Sequence, residues 1–252
     1  MAKTTKLRFK RKSTKLFKKR AAKKKHDKYS EKISKNAIGT VLSRNMLTGA
    51  GDGQPQHKNV VLRYAETFTF STGTLGAMSS VQYMKLNSLF DPNGTAGGHQ
   101  PYLFDTWAAL YNNYRVNCVK VDLLWSTCGG SAEIACCHQI SGPNAYLAMN
   151  GLSLDRVTEM NNVGSVLLSP SGNSRTVRQT FYLPIHKLMG ISKKKYVDDP
   201  NFQNDVLHDP PTLASLQLAT GSYSGVGSEG CACQVVITYY ASLWDRKYQS
   251  QS

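Results

Sequence analysis

From Asn59 onward, apolar and polar residues alternate in short runs separated by Gly, Pro, Asn and Ser. In VVLRYAETFTF (Val60 to Phe70), Leu62, Tyr64, Phe68 and Phe70 fall on one face and Arg63, Thr67 and Thr69 on the other. That period of two predicts a strand with one buried side. TVRQTFYLPI sets Val177, Phe181, Leu183 and Ile185 opposite Arg178, Thr180 and Tyr182, and AEIACCHQI sets Ile134, Cys136, His138 and Ile140 opposite Glu133, Ala135, Cys137 and Gln139. VQYMKL, TLASLQLAT and CQVVITYYASLW read as further strands. In YRVNCVKVDLLW the apolar phase slips at Cys118-Val119, which predicts a bulge or a strand buried on both faces. About eight strands joined by turn signals predict an all-β sandwich or barrel.

Two segments carry a helical period instead. In LFDTWAALYNNY, Phe104, Trp107, Ala108 and Tyr111 recur at i, i+3, i+4 and i+7 and form one apolar stripe, so Trp107 and Tyr111 are expected to pack rather than to stack on bases. SLDRVTEM follows Ser153, a good N-cap. Each lies between strands, as a loop insertion would.

Charge divides the chain. Residues 1–25 hold thirteen Lys or Arg and no acid. Residues 1–35 net +14 of the whole chain's +15, and residues 36–252 net only +1. So dense a block repels itself and holds little apolar surface, so residues 1–35 are expected to be a disordered arm that needs a polyanion. Its bases are Lys3, Lys6, Arg8, Lys10, Arg11, Lys12, Lys15, Lys18, Lys19, Arg20, Lys23, Lys24 and Lys25. Lys outnumbers Arg ten to three, which suits phosphate neutralisation better than base readout. Lys10-Arg11-Lys12, Lys18-Lys19-Arg20 and Lys23-Lys24-Lys25 also fit a nuclear localisation signal, compatible with the first role. Residues 36–58 are transitional, with TGAGDGQPQ as a loop, and the arm is set at 1–44 and the folded domain at 45–252.

Other candidate chemistry is weaker. GVGSEG (225–230) matches a dinucleotide fingerprint in letters, but a strand-like run follows where the mechanism requires a helix. Cys136-Cys137-His138 and Cys231-x-Cys233 do not build a metal site: neighbouring strand residues point to opposite faces, and no C-x-x-C pair is present. His138 is expected to be a hydrogen-bonded core histidine. Asp198, Asp199, Asp205 and Asp209 cluster in a Pro-rich segment; a solvated loop is the reading, with a hard cation between subunits as the alternative. No acid, base and nucleophile converge in sequence, so neither an enzyme nor a cofactor is expected. The N-terminus is basic without an apolar core, so no secretory leader is expected; the six cysteines are then expected to stay reduced and the Asn93 sequon to stay inert. No run of eighteen apolar residues is present to span a membrane.

One segment narrows the class. FDPNGTAGGHQPYLFDTWAALYNNYRVN (Phe90 to Asn117) resembles the capsid proteins of circular, Rep-encoding single-stranded DNA viruses. Asp91-Pro92, Gly98 to Tyr102, Asp105, Trp107 to Tyr111 and Tyr114 to Val116 carry the resemblance in order. HKLMGISKKKYVDD and VVITYYASLWDRK are fainter echoes. The resemblance implies a single eight-stranded jelly roll with short helices in its loops. It also implies a homo-oligomeric icosahedral shell of about 60 copies with circular single-stranded DNA inside, while the basic clusters imply passage through the host nucleus by way of the nuclear import machinery. About 60 arms at +14 supply roughly 800 positive charges against one negative charge per nucleotide. Two alternatives remain: the jelly-roll capsid of a small RNA virus, and a host nucleic-acid-binding protein with a basic tail. Against the second, basic charge in such proteins usually extends onto the folded domain.

Overall fold

The computed structural model describes residues 55–72, 77–79, 81–95, 98–129, 132–143, 149–169, 175–222 and 229–247. The basic arm, the boundary at 44/45 and residues 225–228 of the glycine-rich loop lie outside them.

Nine strands occur among the described residues: β1 (His57–Ser71), β2 (Gln82–Lys85), β3 (Tyr111–Gly129), β4 (Ile134–Ser141), β5 (Val163–Leu168), β6 (Thr176–Pro184), β7 (Asn204–Asp205), β8 (Ser215–Ser222) and β9 (Gly230–Arg246). Four short helices lie in the connections: α1 (Phe104–Ala108), α2 (Leu154–Thr158), α3 (Ile185–Leu188) and α4 (Lys193–Asp198). One sheet runs in the order β1-β9-β3-β6, with the two-residue β7 beside β3, and the other runs β2-β8-β4-β5. All pairings are antiparallel. The chain passes repeatedly between the sheets, with β4 and β5 consecutive in one of them, and its long strands β1 and β9 are neighbours. This order is that of a jelly roll.

The alternation in β1 is realised: Val60, Leu62, Tyr64, Phe68 and Phe70 are buried and Arg63, Thr67 and Thr69 exposed. On β9, Cys231, Cys233, Val235, Ile237, Tyr239, Ala241 and Leu243 point inward, and on β3, Val119, Val121, Leu123 and Trp125 meet them. Burying each such aliphatic side chain contributes about 1.5–3 kcal/mol. The phase slip in β3 is a bulge: the register with β9 shifts between Val116 and Cys118. The extra residue, Asn117, donates to Ser242 Oγ at 2.7 Å.

Four expectations need correction. The helix over 103–114 shrinks to α1, because Tyr111 already pairs with Arg246 as the start of β3. The stripe is real, since Phe104 and Tyr111 are buried and Trp107 half-buried, but the sheet claims its last member. Strand β4 does not alternate between buried and exposed. It is buried on both faces, because Cys137 on its outer side packs with Met78, Met149, Val157 and Ala219 beneath α2. Ile185 continues not β6 but α3, where it is buried. Strand β5 has no counterpart among the expected strands. It is six residues long, contains Gly and Ser, and takes its place from pairing with β4. The reading of SLDRVTEM holds: Ser153 Oγ accepts from Arg156 N and caps α2.

His138 is buried and its ring lies 4.7 Å from that of Phe181 on the facing sheet. A side chain at Gly164 would clash with it, at 2.4 Å from Cε1. Contrary to the expectation, its Nδ1 has no hydrogen-bond partner. Desolvation lowers its pKa to about 4. A histidine depressed below its unfolded value of about 6.5 leaves stability intact above that pH and erodes it as pH falls toward 4. Between pH 7 and 4.5 this group is expected to remove about 2–3 kcal/mol. Urea denaturation at both values should show His138→Phe losing less stability than the parent by about that amount; equal losses would contradict the assignment.

Candidate functional site

Two long excursions leave the same end of the sandwich: residues 86–110 between β2 and β3, and residues 185–214 between β6 and β8. Lys85, the last residue of β2, joins them. Its ammonium contacts Asp91 Oδ2 at 3.1 Å and Asp209 Oδ2 at 2.7 Å, one carboxylate from each excursion. Burial alone would lower the Lys85 pKa, but the hydrogen bonds it donates to Asp209 and Asp91 hold it above its ordinary value. Asp209 Oδ1 also accepts from Ser88 Oγ at 2.5 Å. Beneath them, Tyr114 donates to His208 O at 3.0 Å and Tyr239 to Lys85 O at 2.9 Å. Burial raises the Tyr114 hydroxyl to about 12, so it remains a donor at neutral pH.

A second polar group sits alongside. Glu66 shares the inner face of β1 with Tyr64 and accepts from the Tyr64 hydroxyl and, at 3.1 and 3.2 Å, from Asn93 Nδ2. His99 stacks on Tyr64 with ring centroids 4.6 Å apart. Gly98 must be glycine, since a Cβ there would lie 2.5 Å from that of Asn93. Asn93 is 3% exposed and donates to Glu66.

The motif segment is therefore mostly scaffold. Asp91 anchors on Lys85, the Pro92 carbonyl accepts from Lys85 N, and His99 and Pro101 seat the loop. Tyr111, Tyr114 and Val116 are core, and Arg115 donates to Val197 O at 3.0 Å while lying 5.4 Å over the Trp244 ring. Tyr102, 78% exposed, and the exposed Asp105 and Ala109 stand outside that scaffold. The sequence reading missed Glu66, Lys85 and Ser88, which lie outside the motif; Asn93 for Glu66, and Asp209 for both Lys85 and Ser88, are partners distant in sequence.

The remaining candidates disperse. Asp209 belongs to Lys85, Asp205 pairs with His208 at 2.7 Å, Asp199 caps Asn201, and Asp198 is exposed on α4. Among the described residues, no three of His, Cys, Asp and Glu converge to hold a metal ion. Cys136, Cys231 and Cys233 are in the main core and Cys137 in the second cluster, so adjacent residues 136 and 137 do face opposite ways. None of the six cysteines is in a disulfide. No helix among the described residues is long and apolar enough to cross a membrane. All thirteen basic arm residues, from Lys3 to Lys25, lie outside the described residues.

No family model and no curated protein matches the sequence. Solved viral structures align with this chain at low identity. The capsid protein of BFDV in a 60-mer is 10% identical over 79% of this chain and 100% of its own, with a TM-score of 0.43. A virus-like particle of Macrobrachium rosenbergii nodavirus gives 9% over 79% and 99%, TM-score 0.43. Desmodium yellow mottle tymovirus gives 11% over 79% and 96%, TM-score 0.37. The assignment of the fold rests on this chain's own strand order.

Replacing Asp209 with Ala removes the acceptor that links the two excursions through Lys85 and Ser88. It should cost about 1–3 kcal/mol, the range for hydrogen bonds to charged groups. Trp107→Ala removes a half-buried ring and should cost about 2 kcal/mol, less than the 3–5 of a fully buried aromatic. Chemical denaturation checks both, and unchanged midpoints would remove these contacts from the account.

Proposed function

We propose that this chain is a viral capsid protein that assembles as a homo-oligomer of about 60 copies and packages single-stranded DNA through its basic arm. The observation that carries the reading is the segregation of charge: +14 lies in residues 1–35, ahead of a jelly roll whose residues 36–252 net +1. A nearly neutral sandwich can tile against copies of itself without strong repulsion, while many tethered arms supply the counter-charge for a polyanion. The same basic clusters, from Lys10 to Lys25, would serve nuclear import, placing assembly in the host nucleus and the product in the virion. The role is structural and non-enzymatic.

Phosphate neutralisation is blind to the sugar, so the arm serves RNA equally well. The Phe90 to Val116 resemblance favours DNA, and nuclease digestion of nucleic acid extracted from purified particles separates the two.

Deleting residues 1–35 removes the arm and leaves the described sandwich core untouched. The truncated chain should keep its circular dichroism spectrum and lose most of its affinity for single-stranded DNA. Binding by the intact chain should fall steeply with salt, because each neutralised phosphate releases counterion. A folded truncation that binds as tightly as the intact protein, or intact binding indifferent to salt, would sink the packaging role of the arm.

A further inference from the structure

The two sheets differ on their outer faces. That of β2-β8-β4-β5 is closed by α2 and the cluster of Met78, Cys137, Met149, Val157 and Ala219. That of β1-β9-β3-β6 is open, with Arg63, Thr67, Gln234, Leu124, Arg178 and Tyr182 exposed. The registers place Arg63, Thr238, Lys120 and Tyr182 in one row across all four strands, and Thr67, Gln234, Leu124 and Arg178 in another. With strands about 4.8 Å apart and about 3.3 Å per residue, Arg63 lies about 14 Å across the sheet from Tyr182 and Arg178 about 13 Å along it.

The chemistry of this face is specific. Its acid is Asp122, buried below the surface and holding Lys120 at 2.7 Å, Thr180 at 2.6 Å and Arg178 at 3.4 Å. Hydrogen bonds from Lys120 and Thr180 keep that carboxylate below its ordinary pKa range. Against that single charge stand Arg63, Lys120 and Arg178, so the face is net positive although residues 36–252 are almost neutral. Tyr182 is 63% exposed, and its ring is fixed edge-on against Tyr240 at 6.0 Å. Strand β1, which carries Arg63, is an edge strand of this sheet.

We propose that the outer face of the β1-β9-β3-β6 sheet is a second nucleic-acid surface, on which unpaired bases stack on Tyr182 while Arg63, Lys120 and Arg178 hold the phosphates. This rests on the packaging reading above and deepens it: the arm supplies charge, and the sheet supplies a platform of fixed geometry. An open antiparallel sheet with an exposed ring takes single strands, because bases in a duplex have no free face to stack. A second copy packed symmetrically on this face would set its three bases against their equivalents.

The test uses the intact chain and fluorescent oligothymidylate across a salt series, with Tyr182→Ala, Tyr182→Phe and Arg178→Gln. At low salt the arm dominates and the two Tyr182 variants should bind as the parent does. At high salt, where phosphate contacts weaken, the parent and Tyr182→Phe should keep a residual affinity that Tyr182→Ala lowers about tenfold. An abasic oligonucleotide of equal length should bind the parent as weakly there as oligothymidylate binds Tyr182→Ala. Arg178→Gln should reduce the salt slope by about one. If Tyr182→Ala matches the parent at high salt while the chain still binds at low salt, the sheet platform is refuted and the arm reading stands. If Tyr182→Ala binds normally but sediments differently, the face joins copies of the chain and the proposal falls. If the intact chain binds at no salt, the packaging reading fails and this inference with it.

Discussion

The pairing of β3 with β9 is the constraint on which the rest of the molecule depends. These two strands pair from Tyr111–Arg246 to Gly129–Gly230, broken only by the shifts after Val116 and Thr127. Their inward side chains, among them Trp125, Tyr239 and Ile237, fill the space between the sheets. Their flanks template β1 on one side and β6 on the other. Because side chains alternate along a strand, the same backbone that buries these residues must present Lys120, Leu124 and Gln234 on the opposite side. A one-residue slip would exchange core and surface across the whole sheet, so the bulge at Asn117, tied to Ser242, also fixes which residues of Tyr114 to Val116 face inward.

The second organising feature is the coupling of the two long excursions. A lysine at 12% side-chain exposure is costly unless its charge is met, and Lys85 meets it with one carboxylate from each excursion. The link therefore costs little only when both segments are in place. The segment from Phe90 to Asn117 is mostly the fitting that seats one of these excursions, through Asp91, His99, Tyr111 and Tyr114.

Charge is distributed on two scales. Along the chain it is gathered into residues 1–35. Across the folded domain it cancels in total, but not locally: Asp122 lies below the surface while Arg63 and Arg178 stand on it. A net charge of +1 for residues 36–252 conceals a basic face, because composition does not record which charges are buried.

The sequence by itself determined the class of fold and the uneven placement of charge along the chain. Period-two alternation located β1, β6 and most of β9, the phase slip located the bulge in β3, and Ser153 capped its helix, because each signal is local and spans a few residues. Tertiary structure decided the rest. It ended the stripe of Phe104 and Trp107 as a single helical turn and drew Tyr111 into β3, since sheet pairing outweighs a short helix. It made a strand of Val163 to Leu168, which has too little alternation to announce itself and forms only against β4. It left His138 buried with Nδ1 unpartnered. It also brought Lys85 to Asp209 and Tyr64 to His99, pairs distant in sequence that no periodicity encodes. Local patterns fix which face of an element is apolar; only the closing of the two sheets on each other fixes what that face meets.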